Sequence, residues 1–373
     1  MNSVYGKGRA IRPHGQSGRV RPRTGSAALA DCCLALALAI LGSLPGAGVA
    51  AESAEPAARS GVFSGGRAIP GTNLTLGGYA TVSLENLRHE PSRTALDDAS
   101  LFLWWDNGGR WKLFSELDYE NLLSSRMTAD GRGKRYLALE RAYADYAFSN
   151  SASLRVGKFL TPIGRWNLIH ATPLVWTTSR PLITTQVFPD NVTGLMVNGT
   201  AAVAGKDIDY SVYTSRGGDF RANPDQDPFS DAFGAHVGVQ LPMNLQLGAS
   251  LAEFEQQSQR DEKKRLIGLD FFWSRNRYEL TGEGVYRYSD KGGNRDERGA
   301  FVQLAAPLSA RLYAVARYES FRQELEPDAV RLWVTGLNYR PTPGVVLKAE
   351  WIDGENNRIT APTGFMSSLS ILF

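Results

Sequence analysis

The sequence predicts an all-β fold: a transmembrane antiparallel β-barrel of about 16 strands, with its third long loop folded inward. Three observations predict it. Segments of roughly ten residues alternate apolar and polar side chains with a period of two. The polar phase of those segments is charged, and buried Lys, Glu, Asp and Arg are rare in a soluble core unless paired. Short and long connections alternate from end to end, with long polar ones expected at 121–135, 215–231, 256–264, 290–298, 321–330 and 354–364, as they do when tight turns face one side of a membrane and longer loops the other.

The first 51 residues stand apart. Lys7, Arg9, Arg12, Arg19, Arg21 and Arg23 precede the apolar run CCLALALAILGSLP at 32–45, and small residues follow at 48–51. A basic start, a short apolar run and a small-residue exit describe a signal peptide, cut after Ala50 or Ala51. The run is too short for a membrane-spanning helix, which needs ~20 apolar residues. Residues 52–70 are rich in Ala, Ser, Gly and Pro and read as a flexible periplasmic lead-in. The barrel is expected over 71–373.

Residues 1–51 hold six of the 41 Lys and Arg and one of the 38 Asp and Glu, leaving 35 basic and 37 acidic residues, a formal charge of −2. The excess of base therefore belongs to the leader, and nucleic acid is not an expected partner. Cys32 and Cys33 also leave with it, which removes disulfides and thiolate metal sites. No cofactor and no metal site are expected. Asp225, Asp227 and Asp231 share a Pro-containing loop without the ligand pattern of a calcium loop.

Five segments show the alternation plainly. In 73–86, Leu74, Leu76, Ala80, Val82 and Leu84 oppose Thr75, Thr81, Ser83 and Glu85. In 110–121, Trp111, Leu113, Leu117 and Tyr119 oppose Lys112, Glu116, Asp118 and Glu120. Segments 232–241, 277–288 and 345–353 repeat the pattern, with His236, with Arg277, Glu279, Glu283 and Arg287, and with Lys348 and Glu350 on their inner faces. Eleven further strands fill the gaps near 99–106, 136–147, 153–159, 192–200, 207–213, 245–255, 265–274, 299–306, 311–320, 331–339 and 366–373. The faces of 136–147 stay ambiguous, because Arg141 and Asp145 share a phase with Leu139 and Tyr143. Trp104, Trp105, Trp111, Tyr278, Tyr286, Tyr288, Trp333, Tyr339 and Trp351 suit aromatic girdles at the membrane interfaces. Phe373, preceded by Ile371 and Leu369 on one face, resembles the signal read by the barrel-assembly machinery.

Between two of these strands lies GKFLTPIGRWNLIHATPLVWTTSRPLITTQVFPDN, residues 157–191. It is too long for an ordinary connection. Its four prolines deny it a long helix or central strand, and its apolar content argues against disorder. It is expected to fold into the lumen over 160–190, with Gly157 and Gly164 as turn residues.

The segments LERAYADY (139–146), LRVGKF (154–159) and TPIG (161–164) resemble the Gram-negative outer-membrane porin superfamily, and within it the phosphate-selective porin O and P group. The resemblance implies a sixteen-stranded barrel that is often trimeric, with its third loop turned inward. The expected function is then an outer-membrane porin, a passive aqueous channel for small polar solutes or ions. Its partners would be outer-membrane lipid and lipopolysaccharide, with a possible homotrimer.

Selectivity would be set by the charges at the narrowest ring. Candidates on the loop are Lys158, Arg165, His170 and Arg180. Candidates on the walls are Lys112, Glu116, Asp118, Glu279, Glu283, Arg287, Arg317, Glu319, Lys348 and Glu350. A basic loop facing a partly acidic wall would set a transverse field. Two rival readings remain. One is a barrel without an open pore, structural or adhesive. The other is an outer-membrane hydrolase using His236 near Ser230 and Asp231, although no nucleophile motif surrounds them.

Overall fold

The computed structural model describes residues 66–124, 136–169, 171–220, 226–358 and 360–373. The expected signal peptide, most of the lead-in, His170 and Asp225 lie outside them.

A two-residue strand, β1 (Arg67–Ala68), pairs with the first long one. Sixteen strands then follow in order: β2 (Leu74–Leu87), β3 (Arg93–Asp106), β4 (Trp111–Ser124), β5 (Tyr136–Ser149), β6 (Ala152–Leu160), β7 (Asn191–Val203), β8 (Lys206–Arg216), β9 (Phe229–Leu241), β10 (Leu245–Gln256), β11 (Gln259–Arg275), β12 (Tyr278–Ser289), β13 (Glu297–Pro307), β14 (Leu312–Arg322), β15 (Val330–Thr342), β16 (Val345–Glu355) and β17 (Gly364–Leu372). Each pairs antiparallel with the next, and β17 returns to β2 through Leu369↔Val82 and Ile371↔Ala80. The sheet is closed, so no long edge is left to aggregate. Among the described residues no helix is long and apolar enough to cross a membrane.

The outside is apolar. Leu76, Val82, Leu113, Leu251, Ile267, Leu269, Val302 and Leu347 all point outward and are exposed. A belt of this extent marks a surface that meets lipid. Trp111, Tyr278, Tyr286, Trp333, Tyr339 and Trp351 are exposed with it, as girdle residues should be. Trp104 is a correction. It points inward and packs 5.4 Å from Phe102 and 5.3 Å from Phe114, ring centre to ring centre.

Bulges explain the ambiguous faces of β5. Its pairing with β4 steps from Leu117↔Leu139 to Glu116↔Arg141, so Glu140 is an added residue. A bulge inverts the phase of everything beyond it. Leu137 therefore points out, while Arg141, Tyr143 and Asp145 point in and are buried. β3 carries a second bulge. Its pairing with β2 steps from Thr81↔Asp98 to Val82↔Leu96, which makes Asp97 the added residue.

Two further expectations are corrected. The polar stretch 256–264 is not a long loop but a hairpin, closed by Gln256↔Gln259. Its outer face is polar because that pair of strands runs past the apolar belt. Gly157 is not a turn residue either, since it lies inside β6 opposite Tyr143 and Gly194. It has φ +131°, and a Cβ there would sit 2.2 Å from the Ala142 carbonyl oxygen.

Candidate functional site: the lumen and its inward loop

The connection between β6 and β7, residues 161–190, lies inside the barrel. Pro162, Pro173, Pro181 and Pro189 keep it irregular, apart from a 3-10 turn at Trp166–Ile169 and one helical turn, α1 (Leu182–Gln186). Ile163, Trp166, Leu182, Ile183, Val187 and Phe188 are buried in a cluster that also takes in Val285, Phe301, Phe321 and Val334 from the wall. Burial of this apolar surface holds the loop against strands β12 to β15.

Polar side chains on β12, β14 and β16 hold its backbone against the same wall. Glu283 on β12 accepts from the backbone N–H of Arg165 at 2.9 Å and of Trp166 at 2.5 Å. Glu350 on β16 accepts from Thr178 and Ser179, each at 2.7 Å, and Glu319 on β14 accepts from Leu182 at 2.8 Å. The cations take the carbonyls. Lys348 donates to Thr172 and to Thr177 (3.0 Å), and Arg287 donates to Val187 (3.1 Å). Fully buried Arg317 donates to Thr177 Oγ1 at 2.6 Å and to Ser179 at 2.7 and 3.0 Å. Glu279 accepts from the Trp176 indole at 2.7 Å. A loop without regular structure carries unpaired N–H and C=O groups, and these side chains satisfy them. Each such bond to a charged group is worth about 1.5–3 kcal/mol net.

The candidate residues thus divide. Glu279, Glu283, Arg287, Arg317, Glu319, Lys348 and Glu350 dock the loop rather than line an open path. Lys112 is paired with Asp106 at 3.0 Å near the β3–β4 turn and is half-buried. Glu116 is buried against Arg141 at 2.5 Å. Lys158 is buried against Asp219 at 2.6 Å. Arg165 lies over the Phe272 ring at 4.1 Å and donates to Gln246 at 2.7 Å, turned away from the remaining space. His170 is outside the described residues. Asp118 and Arg180 are brought together in a cavity.

That cavity, of about 320 Å³, lies between the loop and strands β2 to β5. The loop contributes Thr172, Thr178, Arg180 and Asp190. The wall contributes Glu85 and Arg93, then Asp97 and Asp98, then Asp118, Glu120 and Glu140. Six of these acids (Glu85, Asp97, Asp98, Glu120, Glu140 and Asp190) were not among the candidates, though Glu85 and Glu120 stood in polar phase and Asp190 on the loop. The others depend on bulges, which no alternation rule foresees. Arg93 pairs with Glu85 at 3.0 Å and Asp97 at 2.6 Å, and Arg180 pairs with Asp190 at 3.2 Å. Burial raises the Asp190 carboxyl to about 6, against the pull of Arg180.

His236 does not form a hydrolytic centre. Its cross-strand neighbours are Ser250 and Ser211, not Ser230 or Asp231. Nδ1 of His236 lies 2.9 Å from Ser250 Oγ and 3.8 Å from Asp270, so one ring nitrogen faces both groups. A relay needs the base to meet nucleophile and carboxylate through opposite nitrogens. Ser250 Oγ instead accepts from the Gly164 N–H at 3.1 Å and helps to dock the loop.

No family model matches the chain. An uncharacterised protein of Aquifex aeolicus is 25% identical over 337 residues, covering 75% of each chain. Among solved structures, an anion-selective porin from Comamonas acidovorans superposes with a TM-score of 0.57 at 13% identity, covering 81% of this chain and 98% of that one. OmpF of Salmonella typhi, solved in complex with daunomycin, gives 0.58 at 11% identity over 83% and 99%. OmpT of Vibrio cholerae gives 0.56 at 11% identity over 82% and 100%. At such identities the likeness concerns the fold, and that fold is the closed sixteen-stranded barrel of the outer-membrane porins.

Proposed function

We propose that the protein is an outer-membrane porin, a passive aqueous channel for small polar solutes. One observation carries the reading. The inward loop is docked on the β12 to β17 side of the lumen, and a polar cavity is left on the β2 to β5 side. A sixteen-stranded barrel is wide enough to keep an aqueous channel beside such a loop. Water in that path spares a solute the desolvation cost of crossing hydrocarbon. Export by the leader at 1–51 and residence in the outer membrane belong to the same proposal. So does a homotrimer, since one of the similar structures, in-vitro folded OmpT of Vibrio cholerae, is a trimer form.

The finer resemblance to phosphate-selective porins is weaker. In the resembling stretch Arg141, Arg155 and Lys158 are each held by a carboxylate, at 2.5, 2.8 and 2.6 Å. We therefore place the chain among general diffusion channels. Reconstitution into planar bilayers tests this. Stepwise conductance is expected, and its absence at any protein concentration would leave the closed-barrel reading in its place.

A further inference from the structure

We propose that this channel is cation-selective, and that inorganic cations and small cationic solutes pass along the β2 to β5 wall while anions are held back. The inference rests on the channel reading above and adds the sign of the permeating charge. The cavity is lined by seven carboxylates and two guanidinium groups, an imbalance of five negative charges when all are ionised. The two bulges build this excess. A regular strand turns every second residue inward, whereas the bulge at Asp97 turns both Asp97 and Asp98 toward the lumen. Asp97 there accepts from Ser83 and Arg93, and Asp98 accepts from Thr172 on the loop at 2.8 Å. The bulge at Glu140 adds a carboxylate on β5 in the same way.

Asp118 supplies an independent observation. Its side chain is 8% exposed and lines the cavity, and its Oδ1 has no hydrogen-bond partner. Buried acceptors without a donor are uncommon in folded proteins. Oδ1 itself is shielded, but the carboxyl group it belongs to stands on the cavity wall with no donor beside it and is suited to a passing cation. The basic residues of the loop do not cancel the excess. Arg165 faces Phe272 and Gln246 on the opposite wall, and Arg180 is held by Asp190. Rings of Asp and Glu favour cations because the summed field concentrates counter-ions and raises the barrier for like charge.

The test is the reversal potential of the full-length mature protein in planar bilayers across a potassium chloride gradient. A potassium-to-chloride permeability ratio well above one is expected. In Asp118→Asn the ratio should fall about two- to fivefold, as expected for one charge a few ångströms from the ion in screened water. Asp98→Asn should act in the same direction and guards against a variant that fails to fold. Conductance with a ratio at or below one overturns the cation assignment and leaves the channel reading intact. A ratio unchanged in both variants overturns the role of this wall. No conductance overturns the channel reading itself.

Discussion

The loop should come free only when several of its latches are removed together. Arg317 is a fully buried side chain, and it joins the loop through Thr177 Oγ1, Ser179 O and Ser179 Oγ at 2.6, 3.0 and 2.7 Å. Arg317→Met removes these bonds and leaves Glu319, which is 1% exposed, without its cation. Breaking a buried pair by removing one partner costs about 3–5 kcal/mol. Glu283 and Glu350 each accept two loop N–H groups, so at 1.5–3 kcal/mol per charged bond either carboxylate contributes at most about 3–6 kcal/mol net. Any single loss therefore leaves the loop docked by the rest, and single-channel conductance should hold near the wild-type value with more open-channel noise. The combination Glu283→Ala, Arg317→Met and Glu350→Ala should undock it and raise unitary conductance. The β-ladder does not run through these side chains, so unheated samples should still migrate as folded barrel. A triple variant that folds and conducts like wild type would refute the assignment of these charges as latches.

Three other outcomes follow from the same geometry. The charge on Asp190 is present above pH about 6 and lost below it, because the fold favours its neutral form. Cation preference should therefore decline as pH falls from 7 to 5, and Asp190→Asn should flatten that decline. Gly164 has φ +65°, and a Cβ there would lie 2.3 Å from Glu283 Oε2, so Gly164→Ala should displace the loop and increase open-channel noise. Gly78 exchanges backbone bonds with Phe373 at 2.9 and 3.0 Å, and a Cβ on it would meet Ser100 O at 2.3 Å and the Phe373 ring at 2.8 Å. Gly78→Ala should lower the yield of heat-modifiable folded barrel. Gly284→Ala, where the nearest atom is 3.5 Å away, should not.

The strands were legible because lipid and water impose opposite demands on alternate residues. Each of the sixteen expected segments coincides with one of β2 to β17, even where its ends differ. The ends differ because strands that run past the membrane lose the apolar phase that marks them, as the β10–β11 hairpin shows. The inward loop was legible from Trp166, Leu182, Ile183 and Phe188, which need burial in a segment whose prolines forbid a strand. The function of individual charges was not legible. Glu283 and Glu350 alternate on inner faces just as Asp118 does, and the sequence does not say which wall the loop leans on. The bulges at Asp97 and Glu140 were hidden for a different reason. An added residue inverts the phase without changing composition, and its only trace was the conflict between Leu139 and Arg141 in β5.

These two hidden features divide the lumen between them. On the side of β12 to β16, acids and bases are matched to the N–H and C=O groups of the loop, so their fields close over a few ångströms and that half is largely filled. On the side of β2 to β5, the bulges raise the density of carboxylates where no loop backbone arrives to meet them. A protein that needed only a rigid barrel would have no reason to keep an unpartnered Asp118 carboxyl on the wall of that space, because apolar side chains of similar volume are as stable or more so. The asymmetry makes sense if one half of the interior exists to narrow the other, and if what moves through the narrowed half carries positive charge.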